Sequence, residues 1–475
     1  MDNKLNNIHL ENGIEISDTA LSDLGFDIIG NHIFSDCPGI YKIFCKILST
    51  PLHDEEQILD RQRIFLDFCK YPLLIDEIEA YCKNASSFYL KTFGKSFRSV
   101  NARLQYYLSN TLKLMDLYDE FPETFQEISN RFPTLGKHKH VSCSSLKEEL
   151  EKLSVLYTNS SFSVNLEFNN GFQLRRATLN DVKTNHIPIV IDGKKKHAKV
   201  VTFSNDYFFF GNYGAEYSGA CALKDSALLN LCQNISKINS AIKDFFENVL
   251  LEAEFYKAAL ILKKYIKDKN IPFCIPQITG MSHGIVAEEL YDLGLVSLTD
   301  KKIFANDLCM EKGKILLVSG HNRGGKTTFL KSVGIAQILA QSGLFVPAKK
   351  YLCPIYQGLL THFPSGEDET LGDGKLADEL KRFKKDFHIL KGGGLALFNE
   401  SFSTTTTKEG AEIGIDLLRA VRASGSHAIF VTHLMELLEK RNLIGDTLSL
   451  TTVDSQPYKI IEGEPIPNIY AYKLL

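Results

Sequence analysis

Nothing in this chain restricts its fold as sharply as residues 313 to 343, GKILLVSGHNRGGKTTFLKSVGIAQILAQSG. A short apolar run ends in a glycine-rich turn, and the turn opens directly into helix-period sequence closed by Gly343, with Pro347 beyond. A strand that passes through a tight turn into a helix is a unit of an α/β layer fold, in which helices cover a mostly parallel sheet. The turn also meets the spacing G-x-x-x-x-G-K-[ST] at Gly320, Gly325, Lys326 and Thr327. Backbone N–H groups in such a turn converge on phosphate oxygens, and a side chain at Gly325 would crowd that approach. Lys326 adds a point charge, the Thr327 hydroxyl can ligate Mg²⁺, and the following helix adds its N-terminal dipole. The candidate phosphate contacts are therefore Gly320, His321, Asn322, Arg323, Gly324, Gly325, Lys326, Thr327 and Thr328.

A phosphate loop calls for a second strand with an acidic end. LALFNE, residues 395 to 400, is the best candidate, although Asn399 stands where an Asp usually holds the metal. Asn399 can still accept a hydrogen bond from a Mg²⁺-bound water but brings no charge, so weaker Mg²⁺ retention and slower turnover are expected. Glu400 follows it, placed to polarise an attacking water. The next apolar strand, AIFVTH, ends in His433, where a γ-phosphate sensor would sit. A lone His after a strand is usually structural; its order after a phosphate loop and an acidic strand favours function.

From about residue 276 the pattern alternates strand and helix, with TLSLTTV, PYKIIEG and NIYAYKLL as closing strands. The periodicity predicts helices through residues 40 to 161, with apolar stripes Ile58, Ile64, Phe65, Phe68, Leu73 and Leu104, Leu108, Leu112, Leu117. Residues 162 to 217 turn β-rich, around an Asp-Gly turn signal in IDGKKKHAK, and residues 218 to 275 return to helical periodicity. Residues 1 to 39 form an extension without a readable motif.

With 44% hydrophobic and 23% charged residues and a net charge of −3, the chain is ordinary for a globular protein, and any polyanion contact must come from a local basic face. No secretory signal or membrane span is visible. The ten cysteines are scattered without a C-x-x-C pair, which fits reduced thiols in a cytoplasmic protein better than disulfides or zinc.

These residues resemble the ATPase domain of MutS-type DNA mismatch repair proteins. That family has G-P-N-M-G-G-K-S-T, a helix, then A-Q-x-G-x-F-V-P-A. Asn322, Gly324, Gly325, Lys326, Gln341, Gly343, Phe345, Val346, Pro347 and Ala348 keep the pattern, while His321 and Arg323 depart from it. The family's D-E-x-G-x-G-T-S-T segment matches at Glu400, Thr405, Thr407 and Gly410, and its T-H-x-x-E-L at Thr432, His433, Glu436 and Leu437. Gly374-Lys375 resembles the Gly-Arg that ends the family's acidic loop, and LSTPLHDEEQILDRQRIFLDF resembles the opening of its lever domain.

The resemblance implies an ABC-type fold over residues 276 to 475, preceded by a helical lever with a β-rich insert in the position of the family's clamp. It implies ATP and Mg²⁺ as ligands and Phe304 beside the adenine. It further implies a homodimer, in which the segment around Ser403 and Thr405 completes the partner's site. The chain enters the lever-like region after about 40 residues, so the family's mismatch-reading and connector domains are expected to be absent, and with them mismatch reading. The family's extra C-terminal dimer helices are expected to be missing too.

The insert gathers Arg175, Arg176, Lys194, Lys195, Lys196 and Lys199, a candidate surface for DNA phosphates without base reading. A solvated turn explains the same lysines. Two functions follow: a dimeric, DNA-associated ATPase, or a nucleotide-gated protein that turns over little and grips a protein or RNA partner.

Overall fold

The computed structural model describes residues 13–96, 100–124, 143–158, 160–168, 174–184, 187–191, 194–198, 213–280, 283–299, 304–310, 315–363, 375–403, 405–453 and 456–465. The chain divides into two compact units, residues 1–76 with 251–475, and residues 77–250. In chain order the described strands are β1 (Glu15–Ile16), β2 (Ser160–Phe168), β3 (Leu174–Thr184), β4 (Ile187–Ile191), β5 (Lys194–Ala198), β6 (Gln277–Thr279), β7 (Val286–Leu290), β8 (Asn306–Cys309), β9 (Ile315–Ser319), β10 (Lys350–Pro354), β11 (Gly358–His362), β12 (Leu395–Asn399), β13 (His427–Val431), β14 (Thr447–Val453) and β15 (Gln456–Glu462).

The first unit is built on a seven-stranded sheet in the order β1-β11-β12-β13-β9-β14-β15. All neighbours are parallel except the last pair, β14 and β15. β9, β11, β12 and β13 are buried at every residue. That is why their sequences read as nearly unbroken apolar runs rather than alternating ones: both faces are covered. Helices Lys326–Gln341 and Thr407–Ala423 are the crossovers that follow β9 and β12. Leu360, Phe398, Phe402, Leu418, Phe430 and Leu437 belong to one continuous apolar cluster. A second sheet, β6-β10-β7-β8, is mixed.

Gln341, part of the A-Q-x-G pattern, is a buried junction. Its amide donates to the carbonyls of Leu52 at 2.8 Å and Tyr356 at 3.0 Å, and its side-chain oxygen accepts from Gln337 at 2.8 Å. Buried amides need such partners, because an unpaired one is left desolvated. The Leu52 bond ties the segment before helix Glu55–Lys70 to the sheet. β1 does the same at the sheet edge, where Ser17 shares a 3.0 Å hydrogen bond with Thr361. Within the stretch read as a motif-free extension, Glu15 and Ile16 therefore form an edge strand of the sheet.

Helix Glu55–Lys70 starts at Asp54, which accepts from the Gln57 amide, and buries Ile58, Ile64, Phe65 and Phe68. Leu73, placed on the same stripe by its spacing, is 74% exposed, because this helix ends at Lys70 and Pro72 starts the next one. Lys375–Asp386 is α-helical and tightens to a 3₁₀ turn at Phe387–Leu390. On this helix Leu380 is 37% exposed, whereas Leu376 and Phe383, with Phe387 of the following turn, pack against the core cluster.

The second unit combines helices Val100–Thr124 and Ser144–Thr158, parts of helices Pro72–Phe93 and Tyr213–Asp268, and two antiparallel hairpins, β2–β3 and β4–β5. Its core includes an aromatic cluster of Tyr81, Phe121, Phe245 and Phe246. Strands run from Ser160 to Ala198, and the returning helix begins at Tyr213. The Asp-Gly turn, Lys199, Gly374 and NIYAYKLL lie outside the described residues. Among the described residues no helix is long and apolar enough to cross a membrane.

Candidate functional site

In an open parallel sheet, ligands bind beyond the carboxyl ends of the strands. Here β9, β13 and β12 lie side by side and deliver Gly320, His433 and Glu400 to that edge. The register continues past the strands: the Glu400 amide donates to Val431 O at 2.8 Å and the Thr432 amide to Val318 O at 3.0 Å.

The glycine loop is held by β14 and β15, 131 residues downstream of His321. The His321 amide donates to the Thr452 hydroxyl at 3.1 Å. Gly320 has φ +121°, and a Cβ there would stand 2.2 Å from Thr452 Oγ1. Gly325 has φ +92°, and a Cβ there would meet the Tyr458 Cα at 2.6 Å. Both positions therefore combine left-handed backbone with no room for a side chain. Arg323 also takes a positive φ, +63°, and is exposed along with Asn322.

Lys326 is buried, and its ammonium donates to the carbonyls of Gly320 at 3.0 Å and His321 at 2.9 Å. Burial pulls its pKa down, opposed by the Glu400 charge. The loop thus holds a buried cation hydrogen-bonded to neutral carbonyls, which is a natural receptor for an anion. Thr327 donates its hydroxyl hydrogen to Asn399 Oδ1 at 2.9 Å. Thr328 is half-buried on the same first turn of helix.

Glu400 Oε1 lies 2.9 Å from His433 Nε2. The hydrogen bond from His433 holds the Glu400 carboxyl below its ordinary range, against the desolvation that would raise it. Glu400 is therefore ionised at neutral pH and can accept a proton from a water. Glu400 itself has φ +52°, a strained backbone for a non-glycine residue at a site edge.

Sequence reasoning brings together Lys326, Thr327, Asn399, Glu400 and His433, and they do share one edge. It overlooks Thr452 and Tyr458, because no spacing in the loop motif points to strands so far along the chain. Phe304 is half-buried next to a segment zipped to β15: Asn306 donates to Tyr458 O at 2.9 Å and accepts from the Ile460 amide at 2.7 Å. That links Phe304 to the same strand that packs Tyr458 on Gly325.

Ser403 and Thr405 start the segment before helix Thr407–Ala423. Within one chain this segment is a helix cap. Thr406 accepts from the Glu409 amide at 3.3 Å, and the Thr405 hydroxyl donates to the Glu409 carboxylate. Arg175 and Arg176 lie on β3 and Lys194, Lys195 and Lys196 on β5, so the basic residues belong to two separate hairpins.

The oxygens offered to a metal are neutral, Thr327 Oγ1 and Asn399 Oδ1, and among the described residues no three His, Cys, Asp or Glu side chains cluster as ligands. The pair fits an octahedral Mg²⁺ whose charge is balanced by bound phosphates, and fits a dedicated protein cage poorly.

A mostly parallel sheet, a glycine loop opening into a helix and a carboxylate two strands away at the end of β12 define an ATPase-type α/β domain. Residues 316–457 match the family model of MutS domain V. Over this domain the chain is similar to proteins of the MutS family. An endonuclease MutS2 of Ligilactobacillus salivarius is 31% identical over 175 residues, which cover 35% of this chain and 22% of that protein. A DNA mismatch repair protein MutS of Prochlorococcus marinus is 26% identical over 337 residues, 69% of this chain and 34% of that protein. An endonuclease MutS2 of Thermus thermophilus is 36% identical over 129 residues, 27% of this chain and 17% of that protein. In each case the similarity spans about a third or less of the relative's length.

Proposed function

We propose that this chain binds ATP at the glycine loop and hydrolyses it slowly, in the service of binding DNA. The observation that carries the reading is the pairing at adjacent strand ends: Thr327 with Asn399, and Glu400 with His433, each at 2.9 Å. Loop amides and Lys326 take the phosphates, and Lys326 exchanges its two carbonyl partners for phosphate oxygens. Phe304, on the segment that Asn306 joins to β15, takes the adenine. Thr327 and Asn399 hold Mg²⁺, which neutralises charge on the phosphates. Glu400 orients and deprotonates the attacking water, and His433 reports the γ-phosphate to Glu400 through their shared hydrogen bond.

In this reading two copies pair through their ATPase domains, and Ser403 and Thr405 of one face the nucleotide of the other. The helix N-terminus just after them, capped by Thr406, supplies a second positive dipole to that phosphate. Residues 40–161 and 218–275 act as levers, and Arg175, Arg176, Lys194, Lys195, Lys196 and Lys199 meet DNA backbone. The MutS relatives support DNA as the partner class. The neutral Asn399 favours a second reading, a nucleotide-gated interaction protein with little turnover.

ATP turnover measured with and without duplex and branched DNA separates the two. Stimulation by DNA that vanishes in Glu400→Gln supports the first, whereas Mg²⁺-ATP binding without turnover supports the second. Absence of nucleotide binding to the parent chain, or unchanged affinity in Lys326→Ala, would overturn both.

A further inference from the structure

The turn that follows β12 is unusual. Glu400 and Phe402 both have positive φ, +52° and +61°. For a bulky residue that conformation is a genuine outlier, because the side chain crowds its own backbone. In the D-E-x-G pattern a glycine occupies the place of Phe402 and takes this conformation without cost. This chain has no glycine there, so surrounding contacts must hold the turn.

Three contacts do so. The Phe402 amide donates to Glu379 Oε1 at 2.8 Å, and Glu379 lies on helix Lys375–Asp386. The Phe402 ring is fully buried and stacks on His362 with centroids 5.6 Å apart and planes 24° apart. Ser401 Oγ shares a 2.7 Å hydrogen bond with His362 Nδ1 and donates to His362 O at 3.1 Å. His362 ends β11, where it pairs in register with Phe398. Burial drives its pKa down to about 4, so the imidazole is neutral and serves as a stacking platform rather than a charge. Each residue from Glu400 to Phe402 is thus fixed by a neighbour: Glu400 by β13, Ser401 by His362, Phe402 by Glu379 and His362.

We propose that Glu379 is a positioning residue for hydrolysis: through the Phe402 amide it holds the left-handed turn that aims the Glu400 carboxylate at the site. Without its carboxylate the Phe402 N–H loses its partner and the turn relaxes away from its strained conformation. Glu379 acts on Glu400 through the Phe402 amide, and its carboxylate also lies 3.8 Å from His362 Nδ1. The inference rests on the hydrolytic reading above and adds a residue to it that no motif marks.

The test uses the full chain, with Glu379→Ala and Glu379→Gln compared with the parent. Glutamine keeps an oxygen that can accept from Phe402, and alanine does not. Two readouts are taken: amide hydrogen exchange over Glu400–Ser403, and steady-state ATP turnover beside Mg²⁺-ATP affinity. In Glu379→Ala we expect faster exchange across the turn, kcat lower by about tenfold and nucleotide affinity within about twofold of the parent. Glu379→Gln should restore both readouts to within about threefold. If the alanine variant does not fold, Glu379→Asp, one methylene too short to reach, should show the same changes in smaller degree.

Unchanged exchange and kcat in Glu379→Ala would overturn the proposal. So would a loss of affinity in step with kcat, or a Gln variant as poor as Ala. A parent chain that binds but does not turn over ATP would sink the hydrolytic reading instead. Hydrogen exchange would then still decide whether Glu379 holds the turn.

Discussion

The Thr327 hydroxyl donates to the Asn399 side-chain carbonyl at 2.9 Å, joining the first turn of the glycine-loop helix to the end of β12 through two neutral oxygens. Whatever metal sits there gains no charge from the protein at these atoms. Asn399→Asp should therefore tighten Mg²⁺ retention. A charged acceptor in a mostly buried position is worth about 1 kcal/mol more than a neutral one, or roughly a fivefold lower Mg²⁺ requirement for turnover. Titrating turnover against Mg²⁺ in both proteins checks it, and identical curves would remove the missing charge from the account.

Glu400 and His433 act as a pair, and their substitutions should separate chemistry from binding. Glu400→Gln is expected to lower kcat by about 10²- to 10⁴-fold while nucleotide affinity stays within a few-fold. His433→Ala should lower kcat less and should also let the Glu400 carboxyl drift upward, because its main stabiliser is that hydrogen bond. The acid limb of the pH–rate profile should then move to higher pH.

Tyr458 packs against Gly325 so closely that a methyl group cannot be added between them. Gly325→Ala should cost about 1–3 kcal/mol of stability from strain at a positive φ and should weaken ATP binding by distorting the loop. Thermal unfolding and nucleotide titration of this variant should change together. An alanine variant with parental melting and affinity would show that β15 yields easily.

Two histidines, His362 and His427, are buried with pKa values pushed down to about 4 from 6.5. Between those values the unfolded chain holds more protons than the folded one. Their contribution is therefore fully present above pH 6.5 and is lost as pH falls toward 4. Each accounts for roughly 3 kcal/mol at most. Asp292, whose carboxyl burial raises to about 6, works the other way, gaining stability as pH falls from about 6 toward 3.8. Two groups oppose one, so denaturant midpoints should fall between pH 6.5 and 4.5. A flat profile would contradict the burial of both imidazoles.

If the basic hairpins meet DNA backbone, binding should weaken steeply with salt. Replacing Lys194, Lys195 and Lys196 by Ala should flatten the slope of log affinity against log salt by about two to three units, without changing sequence preference. Parental salt dependence in the triple variant would assign these lysines to a solvated turn.

The α/β layering and the residues at the sheet edge were legible because their signals are local. A strand–turn–helix carries its glycines within a few residues, and Asn399, Glu400 and His433 each close an apolar run. What stayed hidden depends on long-range packing. Thr452 and Tyr458 reach the loop only because β14 lies beside β9 and β15 beside β14. Glu379 reads as one charge on a charged helix until folding sets it under Phe402. Leu73 misled for the opposite reason: an apolar residue in register counts for nothing once its helix has ended.

β1, with the helices that follow it, has a practical consequence for anyone cutting the chain. Expressing residues 276–475 alone, as the motif pattern invites, would strip β11 of its outer neighbour and take Leu52 from the Gln341 amide. The newly bared ladder of β11 would be free to recruit strands from other molecules. A well-behaved sheet-domain fragment should instead splice residues 13–76 onto 251–475 through a linker, leaving out the second unit.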